Sequence, residues 1–171
     1  PFPIDLELIS NYVVDEYHRR ARALGEEHSD YAQACNDLAG FYRSQGRFAE
    51  AETLYRKALA VRKKIYGSNH PSYGATCNNL GLLYYDMRQY DKVEPLYKES
   101  LDIILRQFGT HDAAYGRNRN NMGQLYAMEG RSAEAEPLLM EAKQNYGESL
   151  GKDHPDYAQV NNNLANFYVS T

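Results

Sequence analysis

Few residues in this chain could carry chemistry, and their spacing says what kind. Of five histidines, His28, His70 and His154 stand 42 residues apart; His111 is displaced by one, with Asp112 in the expected place. Copies so placed on successive structural units are too far apart to share a metal ion, whose ligands must all lie within bonding distance. A His or Asp just ahead of a helix is suited instead to capping or turning the chain there. Cys35 and Cys77 are also 42 apart. Stacked equivalents sit about 10 Å apart, beyond the roughly 7 Å between Cα atoms that a disulfide tolerates. Two buried free thiols in a reducing compartment are therefore expected. Gly147-Glu-Ser-Leu-Gly-Lys-Asp153 looks superficially like a phosphate loop, but its spacing is wrong and Asp153 replaces the Ser or Thr. Neither His-Glu-x-x-His nor Cys-x-x-Cys occurs. Glu50, Glu52, Glu94 and Glu136 read as a solvated outer helix face. No catalytic set, no metal site and no cofactor is expected.

The elements that position these residues follow from a repeat. Shifted by 42 residues, the chain lies on itself: Tyr31-Ala-Gln-Ala-Cys-Asn-Asp-Leu-Ala-Gly-Phe-Tyr42 returns as the segments Tyr73–Tyr84, Tyr115–Tyr126 and Tyr157–Tyr168, keeping Tyr, Asn, Leu or Met, a small residue and Tyr at fixed offsets. Phe48–Tyr55 returns as Tyr90–Tyr97 and Ser132–Leu139, and Gly25, Gly67, Gly109 and Gly151 close the units. Internal repeats of this period mark stacked supersecondary units that share one continuous core. Cys77, Leu80, Gly81 and Tyr84 fall at i, i+3, i+4 and i+7, as do Ala51, Leu54, Tyr55 and Ala58, so each unit predicts two helices. Gln45-Gly46 and Glu129-Gly130 separate the pair, and His70-Pro71 and His154-Pro155 open the first helix, where proline is tolerated. Pro95 and Pro137, early in the second helix, remove at most one helical hydrogen bond. Ala39, Gly81, Gly123 and Ala165 are small where two helices close on one another, answered by Ala51 and Ala135. Tyr42, Tyr84, Tyr126 and Tyr168 read as repeat core rather than a base-stacking platform.

This gives one all-α array over 1–171: residues 4–24 as the second helix of a partial unit, units at 25–66, 67–108 and 109–150, and 151–171 as the first helix of another. Neither end shows a polar capping helix; with the absent initiator Met, this predicts a piece of something longer and leaves self-association through uncapped ends open. With 43% hydrophobic and 25% charged residues the chain has the composition of a folded domain. A formal charge of -4 argues against nucleic acid as partner, which usually demands a basic face. No stretch reaches the roughly 18 apolar residues of a membrane span, and PFPIDLELIS has no basic or apolar region of a signal peptide. A cytoplasmic location is expected.

Leu or Met, a small residue, Tyr three on and the later alanines resemble the tetratricopeptide pattern. Its ordinary unit is shorter than this one. The longer unit, with phrases such as Gly151-Lys-Asp-His-Pro-Asp156, Asn162-Asn-Leu-Ala165 and Glu134-Ala-Glu-Pro-Leu138, resembles the repeats of kinesin light chains and their bacterial relatives. The resemblance implies a right-handed superhelical solenoid of antiparallel helix pairs (an α-α superhelix). It also implies a protein or peptide partner held in a concave groove lined by first helices, in an adaptor or scaffold role. A second reading makes the segment the sensor or scaffold part of a larger signalling protein or enzyme whose catalytic domain lies elsewhere.

At about 100° per residue, the face opposite the core stripe carries Gln33, Asp37, Asn79, Leu82, Asp86, Arg117, Asn121, Gln124, Asn163 and Asn166. An amide both donates and accepts, so these side chains could hold the backbone of an extended peptide. At roughly 1 kcal/mol per bond, three or four bonds with some apolar burial suggest roughly micromolar affinity. The rank Asn36, Asn78, Asn120 and Asn162, at the stripe's edge, is expected to bond across to the adjacent repeat. Asp37 and Asp86 face a single Arg117, so the basic lining suited to acidic peptides is missing. Arg119 stands in the core stripe where Cys35 and Cys77 stand; it must snorkel or find an acid that the sequence does not identify.

Overall fold

The computed structural model describes residues 6–170, with side chains from Tyr12 onward. Residues 4 and 5 of the first expected helix, and Thr171, lie outside the described residues. Among these there are α-helices and no strand: α1 (Leu6–Leu24), α2 (Ser29–Ser44), α3 (Phe48–Tyr66), α4 (Pro71–Asp86), α5 (Tyr90–Gln107), α6 (Ala113–Met128), α7 (Ser132–Ser149) and α8 (Pro155–Ser170). The chain divides into two compact units, Pro1–Leu83 and Tyr84–Thr171.

The caps explain why helices start every 42 residues. His28 Nδ1 accepts from the Asp30 N–H at 3.1 Å, His70 from Ser72 at 3.2 Å and His154 from Asp156 at 3.1 Å. Asp112 Oδ1 does the same for Ala114 at 2.8 Å. An imidazole and a carboxylate thus do one job, satisfying a first-turn donor that has no partner within the helix. The repeated histidines are caps, and His70 also stacks on Tyr66 with ring centroids 4.2 Å apart.

The first helices stop by one device. Gly46 (φ +74) places its N–H on Arg43 O, and the Arg47 N–H returns to Tyr42 O at 2.9 Å. Gly130 (φ +73) repeats this with Ala127 and Tyr126. These are the paired bonds of a Schellman terminus, which needs a left-handed residue. At the equivalent place in α4 stands Arg88, at φ +59, with the same two bonds onto Tyr85 and Tyr84. A side chain in that conformation costs about 1–2 kcal/mol, against the roughly 0.5–1 kcal/mol that glycine's greater unfolded freedom costs. Arg88→Gly is therefore expected to stabilise the protein by about 0.5–1 kcal/mol, read as a rise in the thermal unfolding midpoint; an unchanged or lower midpoint counts against the strain argument.

In the first unit α2 buries Tyr31, Cys35, Leu38 and Ala39, and α3 buries Ala51, Leu54, Tyr55 and Ala58. Both cysteines are free and buried, and burial pushes the Cys35 thiol up to about 11, so it is an inert core thiol. Arg20 of α1 donates to Asp30 O at 3.3 Å, and Arg62 of α3 to Ser72 O at 2.6 Å. The two donors and the two acceptors are each 42 residues apart. In the second unit α6 lies on α7 at Gly123. A Cβ there would come within 2.7 Å of Leu139 Cγ and 3.3 Å of the Ala135 carbonyl, so the small residue is what lets the helices close. Ala142, Tyr146 and Val160 form a further core cluster where α7 meets α8. Ala165, expected to be closed over like Gly123, is exposed, because no described helix packs on that side of α8.

Candidate functional site

The candidate residues do not form one continuous row of free amides. Asn79 Nδ2 donates to Asn36 Oδ1 at 3.1 Å, and Asn163 Nδ2 to Asn120 Oδ1 at 2.7 Å. Each rung joins a residue assigned to the groove with one assigned to the repeat contact, so Asn36, Asn79, Asn120 and Asn163 share a single structural task. Asn163 also accepts from Gln159 at 3.1 Å. Asn121 is 7% exposed, the least exposed of the candidate residues.

Gln33 and Asp37 are exposed but linked. Gln33 Nε2 donates to Asp37 Oδ1, and its Oε1 accepts from Arg62 at 2.6 Å. The sequence did not single out Arg62, a nearly buried cation (4% exposed) that also donates to Ser72 O and Thr76 Oγ1. Leu82 is half-buried and Asp86 exposed at the end of α4. Arg117 is exposed and lies beside the Tyr146 phenol, where it eases ionisation; burial, aided by the Asp156 charge, outweighs it and pushes that phenol up to about 12.

Gln124, Asn163 and Asn166 do come together. With Tyr85, Ala127, Met128, Leu139, Phe167 and Ser170 they line an open depression of about 220 Å³ on the face shared by α6 and α8. Asn166 makes no side-chain hydrogen bond among the described residues. Gln124 makes only a long one, 3.4 Å, to Asn120 O. Met128 is 57% exposed, while Phe167 and Leu139 are buried beneath. The apolar part was missed because Tyr85, Ala127 and Phe167 sit beside the helical-wheel position used to pick the amides.

Two readings of charged and aromatic residues change. Glu94 and Glu136 are not simply solvated: Glu94 accepts from the Tyr126 phenol at 2.9 Å and Glu136 from the Tyr168 phenol at 2.7 Å. The tyrosine stripe is core only in part, since Tyr168 is 53% exposed and Tyr42 half-buried. Guanidinium groups cover two of these rings, Arg47 over Tyr42 at 3.9 Å and Arg131 over Tyr126 at 3.6 Å. Arg119 finds its acid in Glu141, 3.1 Å away, which also accepts from Tyr115 at 2.8 Å.

Glu94 is held by Lys98 at 2.6 Å, by Tyr126 and by Arg131 at 3.2 Å. Of these hydrogen bonds the one from Lys98 weighs most, and together they lower its carboxyl from 4.5 to about 2. A depressed carboxyl stabilises the fold fully above its unfolded value, and the contribution is lost as pH falls toward the folded value. Between pH 4.5 and about 2 the native protein should therefore lose stability that Glu94→Gln, already weaker at neutral pH, does not lose. Parallel acid titrations of the two proteins, followed by helical circular dichroism, check this; parallel curves would refute it.

Among the described residues no group of three or more His, Cys, Asp or Glu is placed to hold a metal, and no helix is long and apolar enough to cross a membrane. Antiparallel helix pairs, capped at a fixed period and presenting amides on the first-helix face, define a helical-repeat scaffold. The family model for the tetratricopeptide repeat matches residues 30–106, 74–148 and 110–171, and the chain belongs to that family. Among solved structures, BtubC (BKLC) from P. vanneervenii is similar with a TM-score of 0.78 and 22% identity, over 98% of this chain and 66% of that one. This chain thus spans a little under two thirds of BtubC. Two structures of kinesin-light-chain-type, nearly identical TPR-like repeats from Podosopora anserina, one of them a substituted form, give TM-scores of 0.76 and 0.74. Both are 21% identical over 96% of this chain and 78% of theirs. At these identities the likeness establishes the fold. A search of curated proteins finds no match to this sequence.

Proposed function

We propose that this chain is a protein-interaction module that binds an extended peptide segment of a partner along its first-helix face, in an adaptor or scaffold role and without a reaction of its own. The repeat register behind this reading runs 25–66, 67–108 and 109–150, with part-units on either side. Tetratricopeptide repeats generally serve protein–protein interaction. What carries the reading to this chain is the depression on α6 and α8, where the Asn166 amide is free and the Gln124 amide weakly engaged above an apolar floor. A peptide backbone has to exchange its water for such partners, and an uncommitted amide offers both donor and acceptor without first breaking a rung. Asn79 and Asn163, already joined to the neighbouring repeat, would support the face rather than grip the ligand.

A peptide-display selection against the whole chain tests this, repeated with Gln124→Ala/Asn166→Ala. The native chain should enrich a motif that the double variant, with unchanged helicity, binds about tenfold or more weakly. Equal binding by both would move the site off this face, and no enrichment at all would remove the peptide reading.

A further inference from the structure

The depression says more about its occupant than that it is a peptide. At position 127 this chain has alanine, whereas the equivalents 42 residues apart are Arg43, Tyr85 and Val169. The hollow is open because one small residue stands where other repeats carry a large one. Its floor is Leu139 and Phe167, both buried, and one wall is Met128, an unbranched thioether that can adapt to different shapes. Its volume, about 220 Å³, falls short of the roughly 300–1,000 Å³ of small-molecule sites, which suits one side chain rather than a whole ligand. Gln124, Asn163, Asn166, Ser170 and Tyr85 make the polar part, and none of the lining residues is charged.

The charge around it points the same way. Asp86 follows Tyr85 and acts on it: burial, then Tyr90 and the Asp86 carboxylate, hold the Tyr85 phenol above its ordinary range, so it remains a neutral donor on the rim. Glu129 follows Met128, with Arg131 at 3.0 Å from its carboxylate. An acidic segment laid across this hollow would meet no basic lining residue and would pass the Asp86 carboxylate, whereas an uncharged or basic one meets no such penalty.

We infer that the α6/α8 depression is a subsite for a single apolar side chain, of leucine, methionine or phenylalanine size, within an extended peptide whose flanking residues are uncharged or basic. The inference rests on the peptide-binding reading and adds the anchor and the charge preference. The side chain is buried between Met128, Phe167 and Leu139, and the peptide backbone on either side is taken by the Gln124 and Asn166 amides.

The test uses the whole chain with labelled methionine methyls and side-chain amides, titrated in nuclear magnetic resonance with synthetic nonapeptides. Each carries a central Leu, Met, Phe or Asp in a Gly/Ser background with Lys, Ser or Glu flanks. Ala127→Tyr fills the hollow, and because Tyr85 occupies the same place in α4, this variant is expected to stay folded, which its amide spectrum reports directly. The expected result is that apolar-centred peptides with Lys or Ser flanks shift the Met128 methyl and the Gln124 and Asn166 amides. Asp-centred and Glu-flanked peptides should bind about tenfold more weakly, and Ala127→Tyr should lose the response. Tighter binding of the Glu-flanked or Asp-centred peptides overturns the inference. Binding that leaves those signals in place, or survives Ala127→Tyr, also overturns it while leaving the peptide-binding reading intact. If these peptides and an unbiased display library all fail to bind, both fail.

Discussion

Replacing Arg62 with alanine is expected to lower the stability of the segment that contains it by about 2–4 kcal/mol, a large effect for one side chain. Arg62 is 4% exposed, yet its guanidinium meets no carboxylate directly: it donates to Ser72 O, Thr76 Oγ1 and Gln33 Oε1. Burial disfavours its charge, while the nearby Asp37 carboxylate favours it. Removing the side chain would relieve that desolvation but take away its hydrogen bonds to Thr76 Oγ1, to the exposed Gln33 amide oxygen and to the Ser72 carbonyl, which lies two residues after the His70 cap and keeps Thr76 Oγ1 at 3.1 Å. Hydrogen bonds to a charged group contribute about 1.5–3 kcal/mol each, so losing this set outweighs the desolvation that is relieved. Lysine at 62 should recover only part of the loss, because an ammonium cannot span three acceptors that a planar fork reaches together. In a repeat protein unfolding need not be a single transition, so the more telling measurement is amide hydrogen exchange at the start of α4. Faster exchange at Tyr73–Thr76 in Arg62→Ala, with α6–α8 unaffected, is the expected pattern. Unchanged protection there would mean that the helix pairs are held by apolar packing alone.

Arg62 also shows where sequence reading stops. Periodicity reports what the repeats have in common, so it found the helices, the caps at 28, 70, 112 and 154, the turn glycines, and the small residues Ala39 and Gly123 that close helix pairs. It is blind to what one copy does alone. Arg62 has Ile104 and Tyr146 as its equivalents in later repeats, and nothing in the order of residues says that its donors meet a carbonyl ten residues on and an amide twenty-nine residues back. The candidate site was partly legible for the same reason. A helical wheel places Gln124, Asn163 and Asn166 on one face, but whether an amide is free depends on a neighbour 43 residues away, and Asn36 with Asn79 and Asn120 with Asn163 proved to be bonded pairs. Glu94 and Glu136 looked like surface because a wheel cannot see a phenol arriving from another helix. The hollow at Ala127 became visible only once equivalent positions were compared for size within a known packing.

Gly116 and Asn145 are expected to fail separately and tolerate change together. Asn145, 5% exposed on α7, donates to Thr110 O at 2.7 Å and Asp112 O at 3.1 Å and accepts from the Gly116 N–H at 3.1 Å. It therefore ties down the loop that leads into α6 and the first turn of that helix. A Cβ on Gly116 would fall on the Asn145 carboxamide oxygen and press within 3.1 Å of the Tyr146 ring. Gly116→Ala must expel the amide, losing its three hydrogen bonds and taking their partner from the Thr110 carbonyl and the residue-116 N–H, while the Asp112 carbonyl keeps the Tyr115 N–H at 3.0 Å; with the overpacking the expected cost is about 2–4 kcal/mol. Asn145→Val loses the same bonds without the clash and should cost about 2–3 kcal/mol. The first repeat carries another solution at the same two positions, Ala32 with Val61, in which no amide is needed and Ala32 is fully buried. The double variant Gly116→Ala/Asn145→Val reproduces that pair. Once the amide is gone the added methyl no longer displaces it, so the double change should cost little more than Asn145→Val alone, a coupling of about 2 kcal/mol. Urea unfolding of the four proteins in one cycle measures it. Additive losses would show that the two positions do not share one contact, and that the loop before α6 is held by something other than the Asn145 carboxamide.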